Sequence, residues 1–88
     1  MSNNKNLYIE NFIIRLLEKK SNIPKKVKKN MQNFNYLDQG QIDSLGLMSF
    51  IFSIEKKFKF KFTPKELSSK EFRVFTGLIN LIEKKINL

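Results

Sequence analysis

Apolar residues recur at helical spacing along much of this 88-residue chain. Leu7, Ile9, Phe12, Ile13, Leu16 and Leu17 recur on that spacing, with Asn11, Arg15, Glu18 and Lys19 on the other side, and predict an amphipathic helix over residues 5–20. Lysines at its end suit the negative pole of the helix dipole. Asn22 and Pro24 stop it, because proline disfavours helix at the preceding residue and cannot continue the ladder. Residues 21–43 read as a long, polar loop, lysine-rich at first, with room for one helical turn at 25–29. A loop this long needs anchoring, and Phe34, Leu37 and Ile42 are the apolar residues expected to pin it. Gly40 is expected to supply a sharp bend.

From residue 44 to 58 the chain is apolar nearly all round, which predicts a helix that is fully buried or exposes a docking stripe. Phe50, Ile54 and Phe58 share one face, flanked by Leu47 and Ile51, while Met48 and Phe52 point elsewhere. Phe58, Phe60 and Phe62 alternate with lysines, as in a strand. With no second strand candidate nearby, the segment reads as an extended connector with its rings turned inward. Thr63-Pro64-Lys65-Glu66 is a helix start, with threonine at N-cap, proline at N1 and glutamate at N3. It predicts a short third helix at 64–69, followed by a last helix at 74–87 with Leu78, Leu81 and Ile82 inward. Gly77 within it is expected to allow close helix packing. The predicted fold is all-α: a small four-helix bundle of three longer helices and one short one, forming a single domain over 1–88.

Composition narrows the chemistry. The chain has no cysteine and no histidine, so disulfides and imidazole–thiolate zinc sites are excluded. Glu10, Arg15 and Glu18 interrupt the N-terminal apolar residues, so no signal peptide is expected. No run approaches the roughly 20 apolar residues that span a bilayer. A soluble, cytoplasmic, monomeric domain is expected. The net charge of +9 raises one alternative, a small basic helical domain that binds nucleic acid or an acidic protein. Only Arg15 and Arg73 among the 17 basic residues are arginine, the better phosphate-binding side chain, which weakens it. Between Met31 and Glu55 there is no lysine or arginine, while Asp38 and Asp43 are present.

Asp43-Ser44-Leu45 lies in that stretch, at the predicted helix start. A serine there has two uses. Its hydroxyl can cap the helix, or it can carry a phosphate ester, because free N–H groups and the dipole favour an anion. The chain offers no histidine or cysteine to work with Ser44, and no carboxylate pair is visible for acid–base chemistry, so the chain is not expected to be an enzyme.

The run YLDQGQIDSLGLMSFIFSIEKKF from Tyr36 resembles the phosphopantetheine attachment region of acyl carrier and peptidyl carrier proteins. The matching elements are the Gly40 turn, the Asp43-Ser44-Leu45 triplet and the apolar helix ending in charged residues and Phe58. FKFTPKELSSKEFRVFTGLINLI then resembles the family's third and fourth helices, as in stand-alone carriers, so the likeness covers about residues 7–86. It implies a carrier-type four-helix bundle with phosphopantetheine from coenzyme A on Ser44, installed by a phosphopantetheinyl transferase that supplies magnesium and base. Asp43 is implied to support that magnesium, and a helix-capping role is equally compatible. The arm would carry an acyl or aminoacyl thioester between an activating ligase and downstream acyl-transferring or acyl-processing enzymes, with neither nucleic acid nor stable membrane insertion involved. The chain departs from the family in two ways. Gly46, Ser49 and Ser53 stand where acidic docking residues are common, and the whole chain is basic. Partner docking is therefore expected to be apolar, through Leu45, Leu47, Met48 and Phe52, although core packing would equally explain the last two. The many phenylalanines predict a filled core, and hence a short cargo.

Overall fold

Helices form where the apolar spacing places them. The computed structural model describes residues 4–20 and 22–86, and within them the chain is all-helical, with no strand. Six helical segments are present among the described residues: α1 (Asn4–Lys20), α2 (Lys25–Lys28), α3 (Ser44–Phe58), α4 (Pro64–Leu67), α5 (Lys70–Arg73) and α6 (Phe75–Ile86). α1 buries Ile9, Ile13 and Leu17, one residue per turn, and packs on α3 and α6. Leu7, expected on the inner face, is 52% exposed. It lies two residues before Ile9, roughly 200° round the helix, so the same rotation that buries Ile9 turns Leu7 outward. α6 contributes Phe75, Leu78, Ile79, Leu81 and Ile82 to the core.

The three residues expected to anchor the connection between α1 and α3 all pack on the core, but they are not its deepest anchor. Ile42 is buried, but Phe34 and Leu37 are only partly so, and the deepest anchor is Tyr36, at 0% exposure. Its hydroxyl donates to the Phe72 carbonyl. Burial pushes the phenol well above its ordinary pKa, against a smaller opposing pull from Arg73. Gln41 Nε2 donates to the Leu17 carbonyl (2.9 Å), one of the last four in α1, which lack intrahelical partners. The loop serves α6 likewise: the carbonyls of Gln32 and Phe34 accept from the N–H groups of Thr76 (3.2 Å) and Phe75 (2.9 Å). Gly40, with φ of 79°, makes the bend.

Rings continue the packing. Phe60, Phe62, Phe72, Tyr36 and Phe50 form an unbroken series with successive centroids 4.9, 5.5, 6.3 and 5.5 Å apart, joining the connector, α5, the loop and α3. Residues 60–62 form a connector without helix or strand, Phe58 belongs to α3, and of the three rings expected to turn inward only Phe62 is buried. Glu55 Oε2 accepts from the Phe62 N–H (2.8 Å) and holds the connector against α3.

Beyond it, Thr63 and Glu66 make the expected capping box, at 2.8 and 3.1 Å. Where the pattern predicts one short helix the chain makes two turns. Ser69 stops α4 and accepts from the Phe72 N–H (3.3 Å), capping α5 instead, an example of a serine competing with the helical ladder. Gly77 permits close packing as expected: a Cβ there would lie 2.3 Å from the Glu71 carbonyl oxygen.

Candidate functional site

α3 begins at Asp43, whose extended backbone (φ −87°, ψ 176°) lets its carbonyl accept from Leu47 (3.0 Å) and its Oδ1 accept from the Gly46 N–H (2.7 Å). Asp43 is therefore the cap. Ser44, for which a capping role was one of two readings, is instead the first residue inside the helix. At that position its backbone sits among N–H groups that have no intrahelical acceptor, at the positive end of a 15-residue helix. Leu45 is 88% exposed, so the first turn is open to an approaching molecule.

Gly46 follows, buried and without a side chain. A Cβ there would lie 3.1 Å from Asp43 Oδ1, 3.4 Å from Lys20 Cε and 3.5 Å from Ile42 Cγ2. The tight neighbour is the capping carboxylate of Asp43, whereas Lys20 Cε would be in ordinary contact with such a Cβ. The local sequence is free of cations from 31 to 55, yet the fold lays the stem of Lys20, from the end of α1, beside Gly46. No residue spacing shows this, since 26 positions separate Lys20 from Gly46.

Further along, α3 has two unlike faces. Phe50, Ile51 and Ile54 are buried, and Leu47 is half-buried against the core. Leu45, Met48 and Phe52 stand outward, the latter two 54% and 56% exposed. Of the four residues assigned to docking, three thus share an outer stripe, and Leu47 packs inward. For Met48 and Phe52 the core alternative is removed. The stripe runs into an open groove of about 510 Å³ lined by Phe52, Glu55, Lys56, Lys59, Phe60 and Lys61.

No trio of acidic residues suited to a metal ion occurs among the described residues. No helix among them is long and apolar enough to cross a membrane. A scan against protein-family models, a search of curated proteins and a search of solved structures each found no match.

Proposed function

We propose that the chain is a carrier protein of the acyl or peptidyl carrier type, with a carrier-type helical bundle in which α1, α3 and α6 are the long helices and α4–α5 the short third element. Ser44 accepts phosphopantetheine from coenzyme A: a phosphodiester forms at its hydroxyl, and the nucleotide part of coenzyme A departs. The observation that carries this reading is the placing of Ser44 just inside an Asp43-capped helix whose first turn and outer stripe are open. The local chemistry fits the group, since a helix N-terminus favours its phosphate. When bound, the arm supplies a thiol that holds an acyl or aminoacyl group as a thioester.

The chain's own residues then have limited roles. Asp43 holds the turn and offers a carboxylate to the transferase's magnesium. Ser44 supplies the hydroxyl, and Leu45, Met48 and Phe52 meet the transferase, the activating ligase and the downstream acyl-handling enzymes. The chain itself performs no catalysis in this reading. Coexpression with a promiscuous phosphopantetheinyl transferase followed by intact-mass measurement tests it. The expected result is a gain of one phosphopantetheine on the wild type and none on Ser44→Ala. An unmodified wild type, or equal gain on Ser44→Ala, overturns it.

A further inference from the structure

The outer stripe of α3 has a polarity that the carrier reading does not require. Leu45, Met48 and Phe52 follow one another at i, i+3 and i+7, and exposed Lys56 continues the line one turn on. Lys59 then takes a left-handed conformation (φ 60°) that ends the helix, and the chain turns so that Phe60 lies beside Phe52 in the groove. Cations are absent from the neighbouring sequence up to Glu55 and then abundant, with Lys56, Lys57, Lys59 and Lys61 in six positions.

These lysines have different surroundings. Lys57 turns away, its Nζ 5.3 and 5.6 Å from the Tyr8 and Phe12 ring centroids. Lys85, on the other side of Phe60, is held by Glu66 at 2.9 Å. Lys56, Lys59 and Lys61 line the groove itself. The one acid there, Glu55, already accepts from the Phe62 N–H. An apolar floor framed by three lysines selects a partner of opposite sign. A second copy of this chain, itself at +9, is a poor match.

We propose that this stripe and groove dock a partner protein whose surface presents a large apolar side chain ringed by carboxylates. The inference rests on the carrier reading for its purpose. Lys56 lies 12 residues beyond Ser44 on one helix, about 18 Å along its axis. The partner's acidic ring therefore sits that far from the point where the arm enters, and the charges fix which way round the carrier binds. The apolar anchors provide affinity and the lysines provide orientation and encounter rate.

The test uses the unmodified chain, isotope-labelled and followed by its amide chemical shifts. The probe is a synthetic amphipathic helix with leucine and phenylalanine on one face and glutamate on both flanks. Its counterpart has lysine in place of glutamate, and vesicles of phosphatidylcholine with phosphatidylglycerol form a third arm. The expected result is that the acidic peptide shifts amides between 45 and 61. Its affinity falls about tenfold or more in Phe52→Ala and in the combined Lys56→Glu, Lys59→Glu, Lys61→Glu variant, and falls with added salt. Absent binding, equal binding of the lysine peptide, variants that bind as the wild type does, or stronger engagement of the vesicles each overturn the proposal. Intact mass after transferase treatment is read separately. A mass gain without peptide binding sinks only the docking inference, and peptide binding without a mass gain sinks only the carrier reading.

Discussion

Gly77 and Tyr36 show how far single residues set this fold. A methyl at Gly77 would meet the Glu71 carbonyl oxygen at 2.3 Å and its Cα at 2.7 Å, both backbone atoms that no side-chain rotation can clear. The substitution Gly77→Ala gains about 1 kcal/mol of helix propensity and loses more by forcing α5 from α6, at about 1–3 kcal/mol. Thermal unfolding should therefore show Gly77→Ala less stable than the wild type, while Asn80→Ala, exposed on the same helix, leaves stability nearly unchanged. Tyr36→Phe removes the donor to the buried Phe72 carbonyl and should cost about 1–3 kcal/mol at neutral pH. Its folded pKa lies above the unfolded value of about 10, so the folded state holds the proton more tightly. The contribution is complete below about pH 10 and is lost as pH rises beyond it, because the unfolded chain ionises first. Subtracting the alkaline unfolding profile of Tyr36→Phe from that of the wild type should isolate this loss. A difference that stays constant above pH 10 contradicts it.

At the scale of elements, the start of α3 lets the cap made by Asp43 be separated from the metal-supporting role proposed for it. Asparagine caps a helix about as well as aspartate, whereas alanine costs about 0.5–2 kcal/mol. Asp43→Asn should therefore keep the wild-type unfolding midpoint yet slow phosphopantetheine transfer roughly 10–100-fold, if the carboxylate supports the transferase's metal. Unchanged transfer by Asp43→Asn would leave Asp43 as a cap only. The other end of α3 offers a gain: Lys59→Gly removes a side chain from a left-handed position, where a Cβ costs roughly 1–2 kcal/mol, and should raise the denaturation midpoint. These element ends also show what a sequence makes legible. The long helices follow from periodicity, and the capping box at Thr63 and the bend at Gly40 follow from residue type, because each depends on neighbours within a few positions. Tyr36 as an anchor, the second turn at 70–73 and Lys20 beside Gly46 depend on contacts 36, three and 26 positions apart. The first and last are tertiary and leave no local pattern. The middle one depends on which of two adjacent serines caps, and residue type does not distinguish them. The Asp43-Ser44-Leu45 triplet and three of the outward residues were legible as a pattern, but packing, by setting the rotation of α3 about its axis, decided that Met48 and Phe52 face outward and Leu47 inward.

For the whole molecule the governing quantity is charge against size. A net +9 is spread over a body of 34 × 33 × 21 Å. At about 0.01 M salt the Debye length is about 30 Å, so lysines on opposite sides repel one another through the whole structure. At about 0.1 M it falls to about 10 Å, and repulsion is confined to near neighbours. Attractive pairs stand against this: Lys28–Glu18, Arg73–Asp38 and Lys85–Glu66. The first two are largely exposed and worth at most about 1 kcal/mol each. Lys85–Glu66 is more sheltered, and the carboxyl of Glu66 is held below its ordinary pKa, first by the Thr63 N–H and then by Lys85. Its contribution is present above the unfolded carboxylate pKa and lost as pH falls through the folded one, independently of the long-range repulsion. Screening thus removes more repulsion than attraction. The melting temperature at neutral pH should rise as sodium chloride goes from about 0.01 M to about 0.1 M, the reverse of a fold held mainly by surface ion pairs. Glu66→Gln should lower the curve while preserving its upward slope, since it removes a local pair and increases the net positive charge. A melting temperature that falls with salt would show that attractive pairs outweigh the repulsion of a +9 chain.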